Sequence, residues 1–324
     1  MNAESLPQGY EICMHGVGMR KAITNGCIEA TGEDFLDLIN RISTNDVEHL
    51  LVGSGTSTVL TTEKGRIIDV LALSKTDYSC LILTGSSDNQ IIIDWIDKYV
   101  FMEKVTLRSL SDQFLLLNLL GPLATKIIEE ISGKNLGTLE PFANDLITIA
   151  EKNVRVIRGN MGVVQSYFLL IPMDIASSLS KILISAGASW ISEESWELLR
   201  IENEIPVFGK EITEQYNPLE VGLERIIDFN KGCYIGQEVI ARLDTYNKVQ
   251  KRLVFLAIDD LSCSGSERPL YLDGKVVGQI TSAAKLPNGL KYIGLGFVRV
   301  AALVGRNSFT LTADGQGIAR VTNR

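Results

Sequence analysis

The stretch Lys231-Gly232-Cys233-Tyr234-Ile235-Gly236-Gln237-Glu238 concentrates more polar chemistry than any other part of this chain. An ammonium, a thiol, a phenol, an amide and a carboxylate lie close together in it. Its two glycines permit a positive φ angle or a close approach of the backbone to a ligand. The stretch therefore predicts a functional loop rather than a spacer. We call residues 231–238 the Cys233 loop.

The chemistry of this loop depends on the helix expected after it. A helix over residues 237–243 would leave the N–H groups of its first turn without partners, facing Cys233. Together with the ammonium of Lys231, these groups would favour the thiolate form of Cys233. Alternatively, both glycines serve a tight turn and Cys233 is a small buried hydrophobic residue. The residues alone leave both interpretations open.

Composition and charge limit the class of protein. A chain of 324 residues exceeds what one hydrophobic core usually supports, so we expect two or three domains. With 45% apolar residues, it can bury those cores. The net charge of −8 argues against the broad basic surface of a nucleic-acid-binding protein, so no direct nucleic-acid partner is expected.

The cysteines and histidines form no metal or disulfide pattern. The five cysteines, at positions 13, 27, 80, 233 and 263, make no CxxC pair, and the two histidines, at positions 15 and 49, have no metal-binding companions. We therefore predict no metal site and a reducing compartment. The first residues lack the pattern of a signal peptide, and no uncharged apolar run reaches the roughly 18 residues of a membrane span. The expected location is the cytoplasm, with no membrane partner.

Hydrophobic periodicity predicts α+β structure in the first part of the chain. Amphipathic segments alternate there with β-branched runs, which indicates two α+β lobes dividing near residue 110. Thr31 is expected to begin one helix and Ser87 another, since both residue types cap helices. The apolar face of the first helix should contain Phe35, Leu38, Ile39 and Ile42.

The C-terminal part has a different pattern. Beyond Arg252 we find only strand-like runs and expect no helix among them. Asp273-Gly274 and Pro287-Asn288-Gly289 indicate hairpin turns. Residues 248–324 are therefore predicted to form a small barrel or sandwich, and residues 1–247 the α+β region.

The Cys233 loop, together with Ala241-Arg242, resembles the signature of the YgfZ family, the folate-binding relatives of the glycine-cleavage aminomethyltransferase. The resemblance covers most of the chain and is weaker over residues 121–190 and in the C-terminal region. The other segments that carry it are residues 34–36, 44–47, 62–69, 98–101, 104–106, 200–207 and 217–223.

The resemblance implies a fold, a cofactor and partners. It implies an α+β fold with two ferredoxin-like lobes of antiparallel sheets and a C-terminal β-barrel, arranged around a central folate-binding cleft. It implies tetrahydrofolate, or a one-carbon derivative, as cofactor. The implied role is assembly or repair of iron–sulfur enzymes, including enzymes that modify tRNA, with iron–sulfur client or assembly proteins as partners. One cysteine cannot hold a cluster alone, because clusters need several protein ligands.

Cys233 is the candidate catalytic residue. The other candidates, for folate binding or for the loop itself, are Lys231, Gly232, Tyr234, Gly236, Gln237, Glu238, Arg242, Glu220 and Asp69. Glu220 has an equally good interpretation as an ordinary acid at a helix start, and Asp69 as a solvated carboxylate at a strand end. Arg242 is spaced to pair with Glu238 four residues earlier, or to meet the glutamate end of folate.

The alternative function is a tetrahydrofolate-dependent aminomethyltransferase, which moves a one-carbon unit to tetrahydrofolate and releases ammonia. Such enzymes resemble one another in a Tyr-Thr-Gly-Glu-Asp-Gly-Phe-Glu stretch that supplies a pterin-binding carboxylate, whereas residues 159–167 here contain no acid. The pterin N–H donors would then lack a bidentate acceptor. Where those enzymes have paired aspartates, this chain has Asp69 followed by Val70. A structural adaptor that has lost folate binding is a third interpretation.

Overall fold

A computed structural model describes residues 9–22, 25–286 and 291–322 of the chain. The first elements are α1 (Tyr10–His15), β1 (Val17–Lys21), β2 (Gly26–Thr31), α2 (Phe35–Ile42), β3 (Gly55–Thr61), β4 (Ile67–Lys75), β5 (Cys80–Thr84), α3 (Asn89–Asp97) and β6 (Thr106–Ser109). The middle elements are β7 (Phe114–Leu120), α4 (Ala124–Ser132), β8 (Asn144–Ile149), β9 (Lys152–Arg158), β10 (Ser166–Pro172), α5 (Ala176–Ser185), β11 (Ala188–Trp190), α6 (Glu193–Glu202), α7 (Pro218–Val221) and α8 (Gln237–Thr245). The last are β12 (Lys251–Ile258), β13 (Pro269–Leu272), β14 (Lys275–Lys285), β15 (Tyr292–Arg299), α9 (Val300–Leu303), β16 (Ser308–Thr310) and β17 (Ile318–Val321). Short 3-10 turns cover Met173–Ile175 and Glu224–Ile226.

The first sheet has five antiparallel strands in the order β3-β4-β5-β2-β6. Helix α2 buries the four apolar residues predicted for it against this sheet. Its start differs from the prediction, because Thr31 still pairs with Thr106 in the sheet and Asp34 is the residue before the helix. Helix α3 likewise begins after Asp88, whose side chain accepts a hydrogen bond from the backbone N–H of Gln90, and not after Ser87.

The second sheet has six strands in the order β11-β1-β7-β10-β9-β8. Strand β1 runs parallel to β11, and the other neighbouring strands are antiparallel. Helices α4 and α5 cover one face and share its apolar core. Because β1 comes from the start of the chain, membership of the two sheets does not divide at residue 110. The domain division near residues 110 and 247 stays a prediction.

The C-terminal strands form a closed barrel in the order β12-β15-β14-β13-β16-β17. The α+β class with a C-terminal barrel is therefore confirmed. Asp273 and Gly274 both have positive φ angles and join β13 to β14, as expected for a two-residue hairpin turn. The expectation of no helix in this region is wrong, since α9 follows β15. The turn expected at residues 287–289 lies outside the described residues.

No helix among the described residues has the length and apolar character needed to cross a bilayer.

A buried ion pair connects α6 to the barrel. The fully buried guanidinium of Arg200 donates to Glu211 at 3.4 Å, to Ser282 of β14 at 2.5 Å and to the carbonyl of Ile205 at 3.1 Å. Glu211 in turn accepts hydrogen bonds from the hydroxyls of Thr281 and Ser282, each at 2.6 Å. The charges are thus paired and surrounded by further hydrogen bonds, as buried ions require.

We expect Arg200→Met to destabilise the protein by about 3–5 kcal/mol, because it leaves the Glu211 carboxylate buried without its cation. Urea unfolding measures the free energy directly. The matched control is Arg320→Met, which breaks the exposed pair with Asp259 and should cost below about 1 kcal/mol. Equal losses in the two variants would contradict a special role for the buried pair.

Candidate functional site

The two sheets, α6 and β14 enclose a cavity of about 890 Å³. Strands β4 and β5 form one wall and α6 another, while the segment 205–212 and β14 close the remaining sides. The apolar lining includes Ala72, Leu83, Phe142, Met161, Phe168, Trp196 and Phe208. The cleft implied by the resemblance therefore exists, at the centre of the molecule.

Asp69 is the predicted site residue that lines this cavity. Its side chain is 0% exposed, so it is not the solvated strand-end carboxylate of the alternative interpretation. The carboxylate accepts hydrogen bonds from the backbone N–H groups of Gly85 at 3.0 Å, Ser86 at 3.3 Å and Val70 at 2.7 Å. A Cβ atom on Gly85 would lie 2.4 Å from Asp69 Oδ1, so this close approach requires glycine.

Burial raises the pKa of Asp69 from 3.8 to about 7, although the three backbone N–H groups act in the opposite direction. Near neutral pH, both the acid and the carboxylate are therefore populated. An acid with this pKa can donate a proton or accept one at a bound ligand, which is the property of a general acid–base group.

Several further polar cavity residues were not singled out by the sequence. Glu197 lies in the lining and binds the guanidinium of Arg200 at 2.7 Å and the ammonium of Lys210 at 2.6 Å. Burial alone would raise the pKa of Glu197, but these two cations outweigh it and lower the pKa. The spacing of Glu197 and Arg200 on one helix face was the available sequence signal.

Trp196 forms part of the cavity wall, and Arg20 packs against its ring. The buried guanidinium of Arg20 lies 4.4 Å from the centre of the Trp196 ring and also binds Glu193 at 3.2 Å. Arg20 belongs to β1, so a strand from the start of the chain holds an aromatic wall built by α6.

The Cys233 loop lies outside the cavity lining and packs against the turn between β3 and β4. Thr61 donates a hydrogen bond to the carbonyl of Ile235 at 2.6 Å. Gly236 has a φ of +84°, and a Cβ there would lie 2.6 Å from the carbonyl oxygen of Thr62. The side chain of Tyr234 is buried with Ile240 of α8. The loop is thus fixed to the first sheet.

Cys233 is exposed, so the interpretation of this residue as a small buried hydrophobe does not hold. Helix α8 begins at Gln237, as predicted, and Gly232 has open space on its Cβ side. Cys233 and Asp69 are not brought together, because the cavity lining contains Asp69 and no residue of the Cys233 loop.

The side chain of Lys231 reaches the C-terminal end of α2. Its ammonium donates to the carbonyl oxygens of Asn40 at 2.7 Å, Ser43 at 3.1 Å and Asn45 at 2.5 Å, and to Asn40 Oδ1 at 2.8 Å. Burial lowers the pKa of Lys231 to about 8, opposed by the charges of Asp46, Asp228 and Glu48, so the ammonium predominates at neutral pH. We expected this ammonium to favour the thiolate of Cys233, but it instead binds oxygens at the end of α2.

The remaining candidates also lie outside the cavity lining. Glu220 forms a capping box with Asn217 at the start of α7 and lies 3.5 Å from Arg66. Glu238 is exposed, and within the described ranges it makes no salt bridge with Arg242. Among the described residues, no three of His, Cys, Asp or Glu are grouped to hold a metal ion.

We expect the stability that Asp69 contributes to fall as pH rises. The folded protein holds this proton more tightly than the unfolded chain, so the contribution is complete below pH 3.8 and is lost through about pH 7. The loss is on the order of 4 kcal/mol. The difference in unfolding free energy between wild type and Asp69→Asn, measured from pH 4 to 8, should follow this curve. A pH-independent difference would contradict the buried acid.

Comparison with known proteins identifies the family. The model of the GCVT N-terminal domain matches residues 3–231. An Arabidopsis thaliana protein, named without a substrate as a chloroplastic transferase, is 32% identical over 297 residues, which cover 90% of this chain and 68% of the relative. The aminomethyltransferase of Bacillus licheniformis is 25% identical over 305 residues, covering 92% and 83%. Since one relative is chloroplastic, the cytoplasmic location stays a prediction.

The structural comparison agrees. The glycine cleavage system aminomethyltransferase T from Bartonella henselae superposes with a TM-score of 0.84, covering 98% of this chain and 88% of that one. Only 18% of the residues are identical, so this likeness concerns the fold. The match of residues 3–231 to the family model and the relative at 32% identity lead to one conclusion: the chain belongs to the family of the GCVT N-terminal domain.

Proposed function

We propose that this chain is a YgfZ-type protein that binds tetrahydrofolate, or a one-carbon derivative, and supports the assembly or repair of iron–sulfur enzymes. The observation that carries the folate part is Asp69, a buried acid with a pKa of about 7 in the wall of an apolar cavity. A cavity volume of about 890 Å³ is large enough for a ligand of the size of tetrahydrofolate.

The cavity residues suit the parts of a reduced folate. Met161, Phe168, Trp196 and Phe208 would contact the faces of the rings. Asp69 lies directly behind the surface of the lining, so its carboxylate would exchange a proton or a hydrogen bond with the reduced pterin after a shift of the residues that cover it. Lys210 is paired with Glu197 in the same lining, so it would bind a carboxylate of the glutamate tail only in competition with that residue.

The lining also supports a role other than aminomethyl transfer. From residues 159–167 the cavity receives Asn160 and Met161, and neither supplies the carboxylate that the transferases provide from this stretch. The carboxylates of the lining come instead from Asp69 of β4 and from Glu193, Glu194 and Glu197 of α6, so any carboxylate contact to the pterin would differ from that of the transferases. This fits a protein that binds folate for a purpose different from glycine cleavage.

The exposed position of Cys233 supports a separate step at the surface. Its thiol is accessible to another protein, whereas a ligand in the cavity lies apart from it. A single exposed thiol suits exchange or transfer with an iron–sulfur client better than holding a cluster. In this proposal, folate binding and thiol chemistry occur at two places on one molecule.

A second candidate is a tetrahydrofolate-dependent aminomethyltransferase. Relatives with that name match most of the chain, and Asp69 could serve as the acid–base group of such a reaction. Turnover of glycine with an aminomethyl carrier protein and tetrahydrofolate separates the two. Methylene-tetrahydrofolate formation at rates typical of an enzyme would favour the transferase.

We expect tetrahydrofolate to bind in isothermal titration calorimetry, and Asp69→Asn to weaken binding roughly tenfold, because one hydrogen bond to an ionisable group is lost. The control Asp259→Asn, at the surface of the barrel, should bind as wild type does. Absence of heat with the wild-type protein would favour the structural adaptor instead.

We expect Cys233→Ala to keep the fold and folate affinity but to lower iron–sulfur enzyme activities in cells, because the thiol is exposed and outside the cavity. Circular dichroism, calorimetry and client enzyme assays measure the three properties. Cys263→Ala is the matched control, as a second cysteine that is not buried. Unchanged client activities in Cys233→Ala would remove the thiol from the proposal.

A further inference from the structure

The ammonium of Lys231 is surrounded by a shell of four oxygen acceptors. Four oxygens from Asn40, Ser43 and Asn45 lie 2.5–3.1 Å from Nζ. The ring of Tyr234 lies on another side, with its centre 5.6 Å from Nζ. These distances are those of charge-assisted hydrogen bonds together with a cation–π contact.

The position of this shell explains why it selects a cation. Helix α2 ends at Ile42, so the carbonyl of Asn40 is one of the last in the helix and has no partner within it. The negative end of the helix dipole lies at the same place. The carboxylates of Asp46, Glu48 and Asp228 add negative charge around Lys231. Without a cation, these convergent oxygens would repel one another and lose their hydrogen bonds.

Lys231 also supplies the middle anchor of the loop. Upstream, the N–H of Asp228 donates to the carbonyl of Thr44 at 3.0 Å. Downstream, the carbonyl of Ile235 accepts from Thr61 at 2.6 Å. Between these anchors, Gly232 and Cys233 are exposed. The place of Cys233 therefore depends on the contact made two residues before it.

We propose that residues 40–45 form a binding site for a primary ammonium group, and that Lys231 is the built-in occupant and positioning residue that sets the place of Cys233. The site recognises N–H donors carried by a positive charge. It lies outside the folate cavity, and it stands whether or not Cys233 reacts with a partner.

Chemical rescue tests the site. Lys231→Ala removes three methylene groups and the ammonium, which propylammonium restores as a free ion. We expect amide hydrogen exchange in residues 228–231 and 44–46 of the full chain, whose N–H groups include several with acceptors, to become roughly tenfold faster in Lys231→Ala. Added propylammonium should return exchange in both segments toward the wild-type rate. Tetramethylammonium, which has the charge but no N–H donor, should leave the variant unchanged.

Lys251→Ala is the matched control. Its ammonium faces the ring of Tyr216 at 5.7 Å, and the described part of the chain gives it no oxygen shell. Exchange in residues 228–231 should therefore stay at the wild-type rate in this variant.

Two results would overturn the proposal: wild-type exchange in Lys231→Ala, or equal rescue by tetramethylammonium. If Lys231→Ala fails to fold, Asn40→Ala replaces it. That variant removes Asn40 Oδ1, which also accepts from the N–H of Val47 at 3.1 Å, so its readout is exchange in residues 228–231, which should become faster by a smaller factor. No change in Asn40→Ala would then overturn the proposal.

Discussion

The buried pair of Arg200 and Glu211 is the contact on which the shape of the cavity depends. It joins α6, the segment after it and barrel strand β14, which are three of the boundaries of the cavity. The same guanidinium holds the cavity residue Glu197. A single cation therefore pairs with the carboxylate that joins the barrel and with a carboxylate in the lining of the candidate site.

The sequence predicted which helices and strands form better than it predicted the residues at which they begin and end. The spacing of four apolar residues in α2 identified the segment as a helix, because it fits the helical repeat of about 3.6 residues and not the alternation of a strand. The start of the same helix was not predictable, since Thr31 is an equally good cap and strand residue and pairs with Thr106 only in the folded protein. The three-residue strand β11 escaped notice because it is stabilised by pairing with β1, far away in the chain.

The sequence indicated the Cys233 loop but not the cavity. The Cys233 loop is contiguous, so its residue types are visible in one place. Lys231 nevertheless reaches a partner 191 positions away, and no local pattern indicates that contact. The cavity is assembled from β4, β5, α6 and β14, and residues such as Phe208 and Lys210 acquire a role only when these elements meet.

Strand β1 has a consequence for the order of events during synthesis. It lies between β7 and β11, and Met19 pairs with Leu119, exactly one hundred positions later. Strands β2 to β6 can pair among themselves as soon as residue 109 has emerged, whereas β1 must wait for both of its neighbours. At a synthesis rate of about 5–20 residues per second, the wait for β7 lasts on the order of 5–20 s and the wait for β11 on the order of 9–34 s. The first sheet can therefore form before β1, which precedes it in the chain, pairs with its neighbours.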